Sequence, residues 1–447
     1  MSDAQPLARA SAQWGELIRE LMTAARQQGA GEAEAAIGDN VGLSARVRLG
    51  EVETLEHHHS QRLSVTVYFG QQSGSASTTD LTPGAVQSAL EAACRIARYT
   101  AADPYAGLAA AKQMAGPPWP VLDLDHPWAL TAEQAIDLAK RCEAAARQDA
   151  RITNSEGAAV NTRRGQWVYG NTHGFVGTQL GTLHSLSCTV LGGPAGAMER
   201  DAWQTIGRAP PALASPERVG QQAAARTLAR LGPRRLTTRQ VPVVFAPEVA
   251  RSVLGHLVAA VSGGALYRRA SFLLEQQGQA IFPEFVRIEE QPHWPRGLGS
   301  AAFDQEGVAT RARELVQEGV LQGYVLGSYA ARKLGLTTTG NAGGVHNLSI
   351  AAGAQDQAAL LREMDTGVLV SEVMGQGVNI VTGDYSRGMA GFWVEGGEIQ
   401  YPIAEMTIAG NLRDMFRGLV AVGNDVDRRG NLLTGSWLIE RMTLAGT

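Results

Sequence analysis

Apolar residues at Trp14, Leu17, Ile18, Leu21 and Ala25 recur at the three- and four-residue spacing of one helical face. This predicts a helix from about Ala12 to Gln28. The period then drops to two. Leu43, Ala45, Val47 and Leu49 share one face, with polar residues between them, and Leu63, Val65, Val67 and Phe69 repeat the pattern as a second strand. Thr82-Pro83 supplies a hydroxyl cap and a proline whose missing N–H costs nothing in a first helical turn. The helix it opens turns Val86, Leu90, Ala93 and Ile96 inward and ends before Asp103-Pro104.

The proline-rich stretch GPPWPVLDLDHP (116–127) marks a boundary, and the same order of elements returns beyond it. Thr131 and Gln134 have capping-box spacing and open a helix to about Gln148. A glycine-punctuated meander fills Ile152 to Ile206, and Ser215-Pro216 starts a helix that stops at Gly232-Pro233. Helix, meander, helix thus occurs twice, which predicts an α+β region over residues 1–234 built from two related units of helix-covered antiparallel sheet, about 1–115 and 116–234. From Val241 to Phe245 a buried strand runs through Ala246-Pro247 into a helix reaching about Ser262. Strand patterns then dominate, with short helices near Tyr329–Leu334 and Leu412–Leu419. Residues 235–447 read as a strand-rich, barrel-like domain.

A chain of 447 residues, 44% of them hydrophobic, has material for two or three cores. Its 52 glycines fit many tight turns between strands. The net charge of −4 comes with scattered lysines and arginines, so no basic stripe suggests nucleic acid. Cys94, Cys142 and Cys188 form no CxxC pair and sit in apolar contexts, as buried free thiols do. Met1 to Trp14 lacks a charged-then-apolar leader, and Val253 to Leu266 is too short to span a bilayer. A cytoplasmic protein is expected.

Most catalytic signatures are missing: no GxSxG elbow, no GxxxxGK loop and no HExxH helix. Gly375-Gln376-Gly377 lacks the third glycine and distant acid of a dinucleotide site and reads as a tight turn. His57, His58 and His59 lie beside Glu56; on a strand His57 and His59 share a face, which suits adventitious metal binding or simply a solvated edge. His256, on the helix after Pro247, reads as a packing or polar-face residue. The loop Gly340-Asn341-Ala342-Gly343-Gly344 is either a structural turn or a source of backbone N–H groups for a peptide or carboxylate, with Asn341, Gly343 and Gly344 as the candidate contacts.

The stretch GQGVNIVTGDYSRGMAGFWVEGGEIQYPIAEMTIAGNL (375–412), with Gly423-Asn424-Asp425 after it, resembles the C-terminal signature of the TldD/PmbA peptidase family. FAPEVARSVLGHLVAAVSGGALYRRASFLLEQ (245–276) and GLTTTGNAGG (335–344) resemble its PmbA/TldE branch specifically, and the likeness runs essentially from the Val65–Thr79 strands and Asp103-Pro104-Tyr105 onward. The resemblance implies metal-dependent proteolysis of peptides or unfolded segments, with members implicated in maturing microcin-type peptides and removing an antitoxin. TldD-like chains carry an HExxxH helix and a C-terminal cysteine that hold zinc, and they pair with a TldE-like chain. Here Gly255, His256 and Ala260 align with the first histidine, the glutamate and the second histidine, and Asp425 to Gly435 contains no cysteine. The expectation is a chain that carries no zinc itself and forms a chamber with a zinc-bearing TldD-like partner, or a homodimer in isolation. A peptide-binding holdase or scaffold, and a homodimeric hydrolase using unrecognised residues, are the alternatives.

Overall fold

The protein is described by a computed structural model over residues 4–446, with side chains from Ala12 onward. Its first half is built on β1 (Glu32–Arg48), β2 (Glu51–Phe69), β3 (Gln72–Thr78), β4 (Ile152–Asn171), β5 (Val176–Gly192) and β6 (Glu199–Gly207). These form one antiparallel sheet in the order β3-β2-β1-β4-β5-β6. The two helix-meander-helix units of the sequence therefore meet at the β1–β4 seam, where Ile37 lies opposite Val168 and Ala45 opposite Val160.

Four helices cover a single face of that sheet: α1 (Ala4–Gln27), α2 (Pro83–Tyr99), α3 (Ala132–Ala146) and α4 (Pro216–Ala229). Period-two alternation decides which face. Ala33, Ala35 and Ile37 pack under α1 and α2 through Ile18, Leu21 and Leu90, while Leu43, Ala45 and Val47 pack under α3 and α4 through Ala139 and Val219. Burying an isoleucine or leucine of this kind stabilises by about 1.5–3 kcal/mol, which outweighs the modest helix propensity of these segments. Local chemistry fixes the helix starts. Thr131 and Gln134 form the full capping box, and the Ser215 hydroxyl accepts the Arg218 N–H. Gly220 lets α4 lie directly on α3, since a Cβ there would stand 2.0 Å from the Cys142 carbonyl oxygen.

Two apolar positions depart from the sequence reading. Leu49 is not a core strand residue. It sits at φ 53° in the turn joining β1 to β2 and is exposed, because Glu143 on α3 captures the N–H groups of Leu49 and Gly50. Ile96 is also exposed; the inward face of α2 is completed instead by Cys94 and Ala97.

The second half begins with β7 (Arg239–Phe245), α5 (Pro247–Ala260) and α6 (Gly263–Tyr267), then β8 (Ile288–Glu290), β9 (Arg313–Gln317), β10 (Val320–Leu321) and α7 (Ser328–Lys333). It continues with β11 (Leu348–Ile350), α8 (Gln357–Met364), β12 (Gly367–Met374), β13 (Asp384–Glu395), β14 (Glu398–Asn411), α9 (Leu412–Arg417), β15 (Leu419–Val422), β16 (Leu432–Leu433) and β17 (Trp437–Ala445). Strands β14, β13, β12, β7 and β17 lie side by side, and β17 pairs back onto β14, closing a five-stranded barrel with β15 along its edge. Val243, Phe245, Val368, Met389, Ile408 and Ile439 belong to one core that α5 joins through Val253 and Leu257. The alternate positions Val244, Leu369 and Leu438 pack under α8. A small second sheet, β10-β9-β8-β11-β16, flanks the barrel.

Charged side chains lock the halves together. Arg226 of α4 and Arg230 at its C-terminal cap reach Asp201, and extend to Glu248 at the start of α5 (2.8 Å) and to Glu372 of β12 (2.5 Å). The Trp203 ring packs against the guanidinium groups of Arg226 and Arg429, whose carbons lie 5.3 and 3.8 Å from its centre. Paired, largely desolvated charges of this kind fix relative position even where their net stabilisation is small.

Candidate functional site

The face of the first sheet without helices is not left to solvent. Glu34 and Ala36 of β1, Arg62, Ser64 and Thr66 of β2, and Trp167 and Tyr169 of β4 point away from the helices and form one wall of a cavity of about 1220 Å³. Opposite stand residues 301–306, the loop 341–346, and the ends of α6 and α7. A peptide of several residues fits such a volume.

Aromatic rings and carboxylates make up the distinctive lining. Trp167 stacks on Phe303 and on Tyr169, each with centroids 5.7 Å apart. The Glu34 carboxylate accepts the hydroxyls of Tyr68 (3.0 Å) and Tyr169 (2.7 Å). Burial raises the pKa of Glu34 above the usual carboxylate range, against the lowering effect of those hydroxyls. Both tyrosines are raised as well, by burial first and the neighbouring carboxylate second. Asp304 is buried and pushed up to about 6 by desolvation, although it accepts N–H bonds from Glu306, Val308 and Ala342. Glu306 accepts the Ser328 N–H at the start of α7.

Asn341, Gly343 and Gly344 all lie in the cavity wall. Gly343 and Gly344 take φ values of 97° and 116°, which only glycine adopts without strain. The loop is nonetheless not arranged as a nest for a carboxylate. Its Ala342 N–H goes to Asp304, its Gly344 N–H to the Asn341 carbonyl, and the His346 N–H to Glu290. The Asn341 amide is likewise engaged inside the protein, donating to Glu290 and Gly344 and accepting from Thr339. Sequence reasoning missed Glu34, Trp167, Tyr169, Phe303, Asp304 and Glu306. The available signal was Trp167 and Tyr169, two large rings at positions where the alternation of β4 calls for polar residues.

Gly255, His256 and Ala260 lie on α5. A Cβ at Gly255 would stand 3.6 Å from Leu432, whose side chain covers this stretch of the helix, and Ala260 is fully buried. Asp427, in the loop before Leu432, is committed to Arg251 and Arg429. The His256 ring packs edge-on to Tyr385 at 6.1 Å, and its Nε2 and the Tyr385 hydroxyl are buried without a hydrogen-bond partner in the protein. Burial, then the charge of Arg387, lowers the His256 pKa, so the imidazole is neutral; burial pushes Tyr385 up to about 12. These residues do not fit a zinc ion: glycine and alanine have no donor, and a neutral histidine beside a buried phenol is one ligand where three are needed. Among the described residues no three His, Cys, Asp or Glu side chains converge as a metal site. His57, His58 and His59 are exposed on β2, and His59 is tied to Asp39 at 2.7 Å. Among the described residues no helix is long and apolar enough to cross a membrane.

A helix-covered antiparallel sheet, a large cavity on its bare face and a closed barrel in the second half make this an α+β protein. Three family models match the chain in succession: PmbA/TldA metallopeptidase domain 1 over residues 33–97, the central domain over 125–231 and the C-terminal domain over 238–446. The chain is 49% identical over 434 residues to the metalloprotease PmbA of Escherichia coli, covering 96% of both chains. It therefore belongs to the PmbA/TldD metallopeptidase family, on the PmbA/TldE branch. A crystal structure of a Bacteroides thetaiotaomicron protein, described as a candidate modulator of DNA gyrase, superposes with a TM-score of 0.92 at 26% identity, covering 97% of this chain and 98% of that one. TldE of Thermococcus kodakarensis shares the fold with a TM-score of 0.82 at 21% identity, covering 96% and 99%.

Proposed function

We propose that this chain is the zinc-free subunit of a two-chain metallopeptidase acting on peptides or unfolded segments, and that its cavity forms one wall of the cleavage chamber. The observation that carries this reading is the pairing of a peptide-sized cavity with an α5 helix that offers Gly255, under Leu432, and the buried Ala260 where the family implies zinc ligands. Hydrolysis of an amide needs an activated water and a base beside the carbonyl, and a TldD-like partner would supply both. This chain contributes shape and a surface for the substrate.

The test is peptide cleavage by the partner alone, by this chain alone and by the two mixed, each with and without a chelator. Activity chiefly in the mixture, abolished by chelation, is expected. Replacing His256→Ala should leave the mixture within about tenfold of wild type, since loss of a general base costs more, about 10²–10⁴. Chelator-resistant cleavage by this chain alone, or a partner indifferent to its presence, refutes the reading.

A further inference from the structure

The cavity has a charge character that the family assignment does not supply. Three carboxylates line it, those of Glu34, Asp304 and Glu306, against the single guanidinium of Arg62, which donates to the Ser77 hydroxyl. They come from separate elements, β1 and the 301–306 segment, yet converge on the same space as the Trp167, Tyr169 and Phe303 rings. Carboxylates beside aromatic faces favour cations twice, through charge and through the ring quadrupole.

A second observation, independent of the carboxylates, points the same way. Tyr267 and Tyr329 line the cavity where α6 and α7 meet, with ring centroids 5.9 Å apart. Together with Tyr105 they surround an ammonium group: the Nζ of Lys333 lies 4.5 Å from the Tyr105 ring, 5.5 Å from Tyr329 and 5.9 Å from Tyr267. Asp103 accepts the Tyr329 hydroxyl at 2.7 Å and places a negative charge behind the cage. A three-tyrosine cage beside a cavity is thus already holding a primary ammonium, the chain's own.

We propose that this cavity selects peptide segments bearing lysine or arginine side chains, taking the cationic group at the tyrosine cage and between Glu34 and Glu306, with Lys333 as the resident competitor. The proposal rests on the cavity being a peptide site and adds the chemistry of what it prefers. Glycine at 343 and 344 leaves that short stretch of the loop without side chains, where a peptide backbone can approach between the rings and carboxylates.

The test uses three dye-labelled, unstructured octapeptides of the same Gly/Ser background, carrying two lysines, two glutamates or neither. Their binding to the purified chain is followed by fluorescence anisotropy at low and high salt. The lysine peptide should bind about fivefold or more tighter than the neutral one at low salt, with the glutamate peptide weakest and the spread shrinking as salt rises. Glu306→Gln, which keeps an acceptor for the Ser328 N–H, should weaken the lysine peptide about threefold and leave the neutral one unchanged. Lys333→Ala should tighten the lysine peptide by vacating the cage. Equal binding of all three peptides, or preference for the glutamate peptide, overturns the proposal while leaving a peptide site in place. Binding of none overturns the peptide site as well.

Discussion

Asp304→Asn separates two opposing effects at the cavity wall. One Asp304 oxygen accepts the Glu306 and Val308 N–H groups at 2.9 and 3.0 Å, and the other accepts the Ala342 N–H at 2.9 Å. An asparagine keeps one acceptor oxygen for the first pair but turns an NH2 toward Ala342, donor against donor. That leaves a buried N–H unpaired, at a cost of about 1–3 kcal/mol. Against it stands desolvation. The folded pKa of about 6 exceeds the unfolded value of 3.8, so the native state binds this proton more tightly. The resulting stability is fully present below pH 3.8 and is lost as pH rises through about 6; the gap corresponds to about 3 kcal/mol. Asparagine does not titrate. Near pH 4 the variant should be weaker than wild type by about 1–3 kcal/mol, and by pH 7.5 it should have drawn level or moved ahead. Denaturant midpoints of the two proteins, measured side by side from pH 4 to 7.5, read this directly, and titrations common to both cancel in the difference. A difference that stays constant with pH, or a wild type that gains on the variant as pH rises, refutes the reasoning.

Two other substitutions probe the framework that holds the site. Glu143→Gln should destabilise by about 1–3 kcal/mol, because its two oxygens accept the Leu49 and Gly50 N–H groups at 2.8 Å each and an amide can accept only one of them; faster hydrogen exchange at those two amides is the specific readout. Gly391→Ala should cost about 2–4 kcal/mol or prevent soluble expression, since its Cβ would stand 2.0 Å from the Leu369 carbonyl inside the barrel, whereas Gly388→Ala on the same strand meets nothing nearer than 3.6 Å and should be tolerated.

Much of the fold is legible in the sequence because its determinants are local. The Thr131–Gln134 box, the Ser215 cap and the alternation of β1 and β2 each act within a few residues, and the structure realises all three. Leu49 escaped because its position depends on Glu143, 94 residues away, which stabilises a turn that the apolar pattern runs straight through. Barrel closure is likewise invisible to periodicity, resting on β14 meeting β17. The cavity was half legible. Glycine spacing marks the 340–344 loop, but Glu34, Asp304 and Glu306 look like ordinary solvated acids until the bare face of the first sheet is seen to be roofed by the 301–306 segment. The zinc-position residues were identified through family resemblance rather than through any physical pattern. The structure adds what sits over Gly255, the side chain of Leu432.

The placement of β17 in the barrel has a consequence for the protein's birth. Val243 of β7 pairs with Ile439 of β17, so two neighbouring strands are separated by about 200 residues of synthesis. At about 5–20 residues per second the ribosome needs about 10–40 s to deliver the second strand after the first. Throughout that interval β7 lacks its β17 neighbour, and once β14 has been made it too waits with an open edge, the arrangement most prone to pairing with another chain. A nascent chain stalled before Trp437 would hold the whole first sheet but an open barrel, and it is at that stage, rather than in the finished molecule, that this protein most needs a chaperone.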